Sequence, residues 1–107
     1  MDTSIVDIDE MHSQAENAAD LLRVMAHPER LMVLCQLTIG EVGVGELLRC
    51  SSLSQSAFSQ HLSVLRNYGL IEARKESQQV FYSLADPRVE VLIGSIHGLF
   101  CQSDIRA

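Results

Sequence analysis

Leu53-Ser54-Gln55-Ser56-Ala57-Phe58-Ser59-Gln60-His61-Leu62 opens on a helix cap and continues at helical spacing. A serine suits the cap position because its oxygen accepts one of the amide protons that a first turn leaves unpaired. The helix predicted from there runs from Gln55 to about Tyr68, and Gly69 fits the left-handed residue that closes it. Phe58, Leu62 and Leu65 fall on one side, whereas Ser56, Ser59, Gln60, Ser63 and Asn67 fall on the other. That outer side is polar yet almost uncharged. Short hydroxyls and amides donate and accept at base edges and phosphates; the alternative is a plain solvent-facing surface rich in serine.

The neighbouring segments place this helix in a motif. Val44 to Cys50 supplies about two turns of a short preceding helix, and Ser51 and Ser52 make the turn between the two, which is the outline of a helix-turn-helix. Downstream, Leu70 to Glu76 and Gln79 to Leu84 are rich in strand formers around Ser77 and Gln78, and together they predict a hairpin. The candidate DNA contacts are Ser54, Gln55, Ser56, Ser59, Gln60, His61, Ser63 and Arg66 from the helix. Arg74, Lys75 and Gln78 join them from the hairpin, placed to lie along a phosphate backbone or in an adjacent minor groove. His61 is read as a DNA contact or a packing residue.

On the N-terminal side, Ile8, Met11, Ala15, Ala18, Leu22 and Met25 alternate at spacings of three and four, a narrow apolar seam on one helix. Its alanines let another helix come close. Pro28 disfavours helical geometry at His27 and suits the first turn of a second helix, whose run Leu31 to Cys35, with Leu37 and Ile39, is apolar on nearly every side and predicts a central core element. Gly40, Gly43 and Gly45 predict a loop. Asp86 and Pro87 cap and start a last helix with Val89, Leu92, Ile93, Ile96 and Phe100 on one side. The fold class is thus mainly α with a β-hairpin wing, a winged helix-turn-helix of four helices, a hairpin and a fifth helix.

With 107 residues, the chain is long enough for one core and short for two domains, so residues 1–107 are read as a single domain with an acidic, flexible tail at 1–10. The net charge of −6 at first opposes a nucleic-acid ligand. Six acids and no basic residue fall within the first 20 positions, however, and residues 44–84 carry four basic residues against three acids. Charge permits DNA binding without demonstrating it. No apolar run approaches the roughly 20 residues of a membrane span, and the acidic N-terminus is unlike a signal peptide. A cytoplasmic protein with three reduced cysteines, no cofactor and no membrane contact is expected. A thiol enzyme would need a Cys-His-acid arrangement that the sequence does not offer, so it is not read as an enzyme.

The order of elements, the string at Leu53–Leu62, its continuation Leu65-Arg-Asn-Tyr-Gly-Leu-Ile71 and the segment Ala26-His-Pro-Glu-Arg30 together resemble the ArsR/SmtB family of bacterial repressors. Ser59-Gln-His-Leu62 is the most distinctive part. The resemblance covers roughly residues 15–103. It implies a homodimer built on the first and last helices and bound to an inverted repeat in double-stranded operator DNA. Its two recognition helices would enter major grooves about 34–36 Å apart.

Many members of that family sense metals. One group has a Cys-x-Cys motif at the start of the third helix, where this chain has Val42-Gly-Val-Gly-Glu-Leu47. Another opens the last helix with Asp-x-His, where Asp86-Pro-Arg88 stands here, and His97 alone does not complete a zinc site. No metal site is therefore expected. Leu31-Met-Val-Leu-Cys-Gln36 and Ile96-His-Gly-Leu-Phe-Cys-Gln102 resemble the two cysteine contexts of the family's thiol subgroup, which answers persulfides, polysulfides or oxidants. That resemblance implies Cys35 and Cys101 as sensing thiols joined by a disulfide or polysulfide bridge; from spacing alone, His97 lies one helical turn before Cys101 and is the candidate to help ionise it. Without it, two lone cysteines read as small buried hydrophobes. Cys50 is read as incidental, and His12 and His27 as a surface and a helix-boundary residue. The alternatives left open are a metal- or haem-responsive repressor of the same fold and an anti-repressor that binds DNA without an inducer.

Overall fold

The computed structural model describes residues 7–100. Helix α1 (Ile8–Met25) begins at an Asp7 cap, whose Oδ1 accepts from the amides of Asp9 and Glu10 at 3.0 and 3.3 Å. Ile8, Asp9 and Glu10, at the end of the acidic segment 1–10, are helical, as the seam from Ile8 predicts, because a capped first turn with two acids suits the positive end of the helix dipole. Residues 1–6 of that tail lie outside the described residues. Of the apolar seam only Met25 enters the core, beside Leu21, which the seam did not include, while Ile8, Met11 and Leu22 are exposed.

Helix α2 (Pro28–Leu37) starts at His27, whose Nδ1 accepts from the Glu29 amide at 3.2 Å. Val33, Leu34 and Leu37 are fully buried and Leu31 and Cys35 pack half-buried beside them, but Met32 is 48% exposed and Ile39, past the helix end, 87%. The central element therefore has one open side. The loop expected over Gly40–Gly45 contains a strand, β1 (Val42–Gly43), which pairs antiparallel with a later strand as Val42↔Tyr82 and Gly43↔Phe81. Two residues with a glycine carry no alternation to read.

Helix α3 (Val44–Arg49) and helix α4 (Gln55–Asn67) follow, joined by a turn that Ser51 braces: its Oγ accepts from the Leu53 amide and donates to Glu29 Oε1 at 2.8 Å. Ser54 caps α4, accepting from the Ala57 amide at 3.2 Å. At the far end Gly69, with φ of 84°, lets the amides of Leu70 and Gly69 return to the carbonyls of Leu65 and Arg66. Strands β2 (Ile71–Glu76) and β3 (Gln79–Leu84) form the expected hairpin around Ser77 and Gln78, in register from Ile71↔Leu84 to Glu76↔Gln79. The sheet order is β1-β3-β2. Asp86 then starts α5 (Pro87–Phe100), its Oδ1 accepting from the Arg88 amide at 2.9 Å.

The core gathers Leu21 and Met25 of α1, the inner face of α2, Leu47, the Phe58–Leu62–Leu65 face of α4, Leu70, Ile71, Tyr82, and Val89 and Ile93 of α5. Helix α2 packs against both α4 and α5. It therefore connects the helix-turn-helix on one side to the last helix on the other.

Candidate nucleic-acid interface

Because Phe58, Leu62 and Leu65 anchor α4 inward, the opposite face is presented to solvent: Gln55, Ser56, Ser59, Gln60, Ser63, Arg66 and Asn67 are all exposed. Ser54 is exposed too, but its oxygen is engaged in the cap, which leaves its O–H to donate. The exposed set holds one guanidinium, three amides and three hydroxyls on just over three turns. An α-helix of this kind fits a B-DNA major groove about 12 Å wide, where amides can pair with adenine and guanidinium with guanine.

His61 does not belong to this face. It is half-buried on the inner flank, its Nδ1 accepts from Arg30 Nε at 3.1 Å, and its ring centre lies 4.2 Å from that of His27 at an interplanar angle of 45°. Burial, followed by the neighbouring His27 and Arg30, lowers its pKa, with Glu29 opposing. Arg30 also donates from Nη1 to the Val24 carbonyl at 2.9 Å. Of the two readings of His61, a DNA contact or a packing residue, these contacts favour the second: it ties α4 to α2 and the end of α1. The spacing alone carried the signal, since position 61 lies one turn after Phe58 and one before Leu65. Its partner Arg30, in the Ala26–Arg30 segment, had no assigned role.

On the wing, Lys75 and Gln78 are exposed as expected. Arg74 is otherwise engaged: Nε and Nη2 donate to both oxygens of Glu41 at 2.8 and 2.7 Å, Nη1 donates to Glu76 at 2.7 Å, and the guanidinium lies 5.0 Å over the Phe81 ring. These bonds hold the Glu41 carboxyl below its ordinary range and the Arg74 pKa above its own. Its fork is thus occupied by two carboxylates, although about half of the side chain remains exposed.

Cys35 is half-buried on α2 against the core, and Cys50 is exposed at the C-terminus of α3. Cys101, expected as the second sensing thiol, lies outside the described residues, one position past Phe100. His97 is exposed on the last turn of α5. Among the described residues, no group of three or more His, Cys, Asp or Glu side chains is placed to hold a metal ion. No helix among them is long and apolar enough to cross a membrane.

A two-helix DNA-reading unit backed by a β-wing defines a winged helix-turn-helix transcription regulator. The model of the bacterial regulatory protein arsR family matches residues 27–73, and the chain belongs to that family of DNA-binding transcription regulators, which are not enzymes. It is 44% identical to the transcriptional activator HlyU of Vibrio cholerae over 99 residues, covering 92% of each chain. It is 36% identical to the biofilm growth-associated repressor of Xylella fastidiosa, over 92% of this chain and 87% of that one. A solved structure of reduced HlyU from Vibrio cholerae superposes with a TM-score of 0.83 at 47% identity, over 87% of this chain and 98% of that one.

Proposed function

We propose that the protein is a homodimeric repressor that holds an inverted-repeat operator and lets it go when Cys35 and Cys101 of one subunit are bridged. The observation that carries this reading is the packing of α2 on α5. It puts the helix bearing Cys35 beside the helix whose last described residue, Phe100, directly precedes Cys101. The same α2 packs on the recognition helix α4, so a strain introduced on one side of α2 reaches the other. A reduced form has been distinguished for the relative HlyU, in keeping with thiols that change state.

The chemistry balances with a low-molecular-weight persulfide as oxidant. One cysteine thiolate attacks its outer sulfur, forms a protein persulfide and expels the small thiolate. The second thiolate attacks the protein-bound inner sulfur and expels hydrosulfide, leaving a disulfide. Two protein thiols have been oxidised and the sulfane sulfur reduced. The direct bond needs Cα atoms within about 7 Å, and an additional sulfur spans more. A coupling of roughly 1–3 kcal/mol between bridge and DNA would change affinity about 5- to 150-fold.

The dimer is supported by apolar surface that one subunit leaves bare: Ile8, Met11 and Leu22 on α1, and Val91, Leu99 and Phe100 on α5, the last 80% exposed. Intact-mass analysis combined with a mobility-shift assay after persulfide treatment tests the switch. Loss of two hydrogens, or gain of sulfur, should accompany release of DNA, while Cys35→Ser and Cys101→Ser remain bound. A verified bridge with unchanged affinity overturns it. One observation favours a second reading, the name transcriptional activator carried by HlyU: this chain would displace another DNA-bound protein without an inducer, and regulation would then survive both serine substitutions.

A further inference from the structure

Arg74 stands in β2 directly across from Phe81 in β3, and Phe81 stands directly across from Gly43 in β1. The three positions form one row across the sheet. Arg74 lies along that row, its guanidinium over the Phe81 ring, and closes a two-bond fork on Glu41, the residue just before β1. One side chain from one edge strand therefore spans the middle strand and fastens the other edge strand. A strand of two residues has little pairing of its own to hold it, and a planar guanidinium–carboxylate fork is directional in a way that a lysine contact is not. Gly43 is also the N-cap of α3. Fastening β1 to the hairpin thus fastens the wing to the first helix of the DNA-reading unit.

The charges point the same way. Arg74 faces two carboxylates, Glu41 and Glu76, so the cluster carries a net negative charge and offers no attraction to phosphate. Lys75, beside it and exposed, is the hairpin cation left for that task.

Resting on the DNA-binding reading above, we propose that Arg74 is a positioning residue, paired with Glu41, that sets the angle of the wing against α3 and α4. Wing and recognition helix must reach one duplex together, so a wing that swings costs affinity even though no contact to DNA is deleted.

The test compares Arg74→Ala, Arg74→Lys and Glu41→Gln with Lys75→Ala. The probes are a duplex that the protein enriches from a randomised pool and a scrambled duplex of equal length. Amide hydrogen exchange is followed in the free protein at residues 42–43 and 79–84. Arg74→Ala and Glu41→Gln should each speed that exchange several-fold, and Arg74→Lys, which keeps the charge and loses the fork, should do the same. Arg74→Ala should weaken binding several-fold at every salt concentration with the salt slope unchanged, whereas Lys75→Ala should lower the slope by about one. Unchanged exchange in Arg74→Ala overturns the proposal, and so does a salt slope reduced as in Lys75→Ala. If no duplex is enriched by the unaltered protein, the DNA reading has failed, and the exchange comparison still decides whether Arg74 holds the wing.

Discussion

His61 accepts a hydrogen bond from Arg30 with the ring in its neutral form, and this sets how the fold responds to acid. Protonation would turn Nδ1 into a donor facing another donor, beside a second histidine. The folded pKa is lowered, chiefly by burial, so between that value and the unfolded one near 6.5 the unfolded chain binds the extra proton. The stabilisation from His61 is complete above about pH 6.5 and is lost as the pH falls through the lowered folded value. Urea unfolding at about pH 7.5 and 5.5 should show a larger loss for the unaltered protein than for His61→Gln; equal losses would remove His61 from the account. Gln60, one position earlier, faces out. Gln60→Ala should cost about 1–3 kcal/mol on the enriched duplex and little on a scrambled one, and an equal loss on both would make it a phosphate contact. The outward side of α4 was readable because helical spacing sorts Phe58, Leu62 and Leu65 from Ser59, Gln60 and Ser63. The engagements of His61 and Arg74 were not, since their partners Arg30 and Glu41 lie 31 and 33 positions away in the chain.

At the scale of elements, the caps were legible because their chemistry is local. Ser54 before α4, Gly69 after it and Asp86 before α5 each act on residues within five positions. Strand β1 was not legible, as its existence depends on Phe81 and Tyr82 almost forty positions downstream. The open side of α2 was missed for a related reason: composition shows that Leu31 to Cys35 is apolar, and only packing shows that Met32 is left 48% exposed. Ser54→Ala removes the acceptor for the Ala57 amide and should lower stability by about 1 kcal/mol in urea unfolding. Ser54→Asp keeps an acceptor and should restore that stability. Its added negative charge at the DNA face should nonetheless weaken binding to both duplexes, separating the role of the cap from the role of the surface. If Ser54→Asp binds DNA as the unaltered protein does, the N-terminus of α4 does not approach phosphate.

For the whole molecule the governing quantity is how many phosphates one binding event neutralises. Helix α4 has 13 residues, about 20 Å of axis, enough for one groove and one half-site. Two half-sites need two subunits, and the bare apolar surface of α1 and α5 is where a second copy can seat. Val91 is 69% exposed on α5, at a groove shared with Ala18 and Leu21 of α1. In a lone subunit, Val91→Glu places a charge in water and should change stability by no more than about 0.5 kcal/mol. In a dimer built on this surface it buries an unpaired carboxylate, a cost of several kcal/mol. The variant should therefore sediment as a monomer with its helical content intact. Its affinity for the enriched duplex should fall on the order of a hundredfold or more, because the second half-site no longer benefits from the first. The log–log salt slope should drop to about half, since each subunit supplies half of the phosphate contacts. Loss of affinity with the full slope would mean that the dimer persists and only its geometry has changed, and a Val91→Glu protein that still sediments as a dimer would move the subunit interface away from α1 and α5.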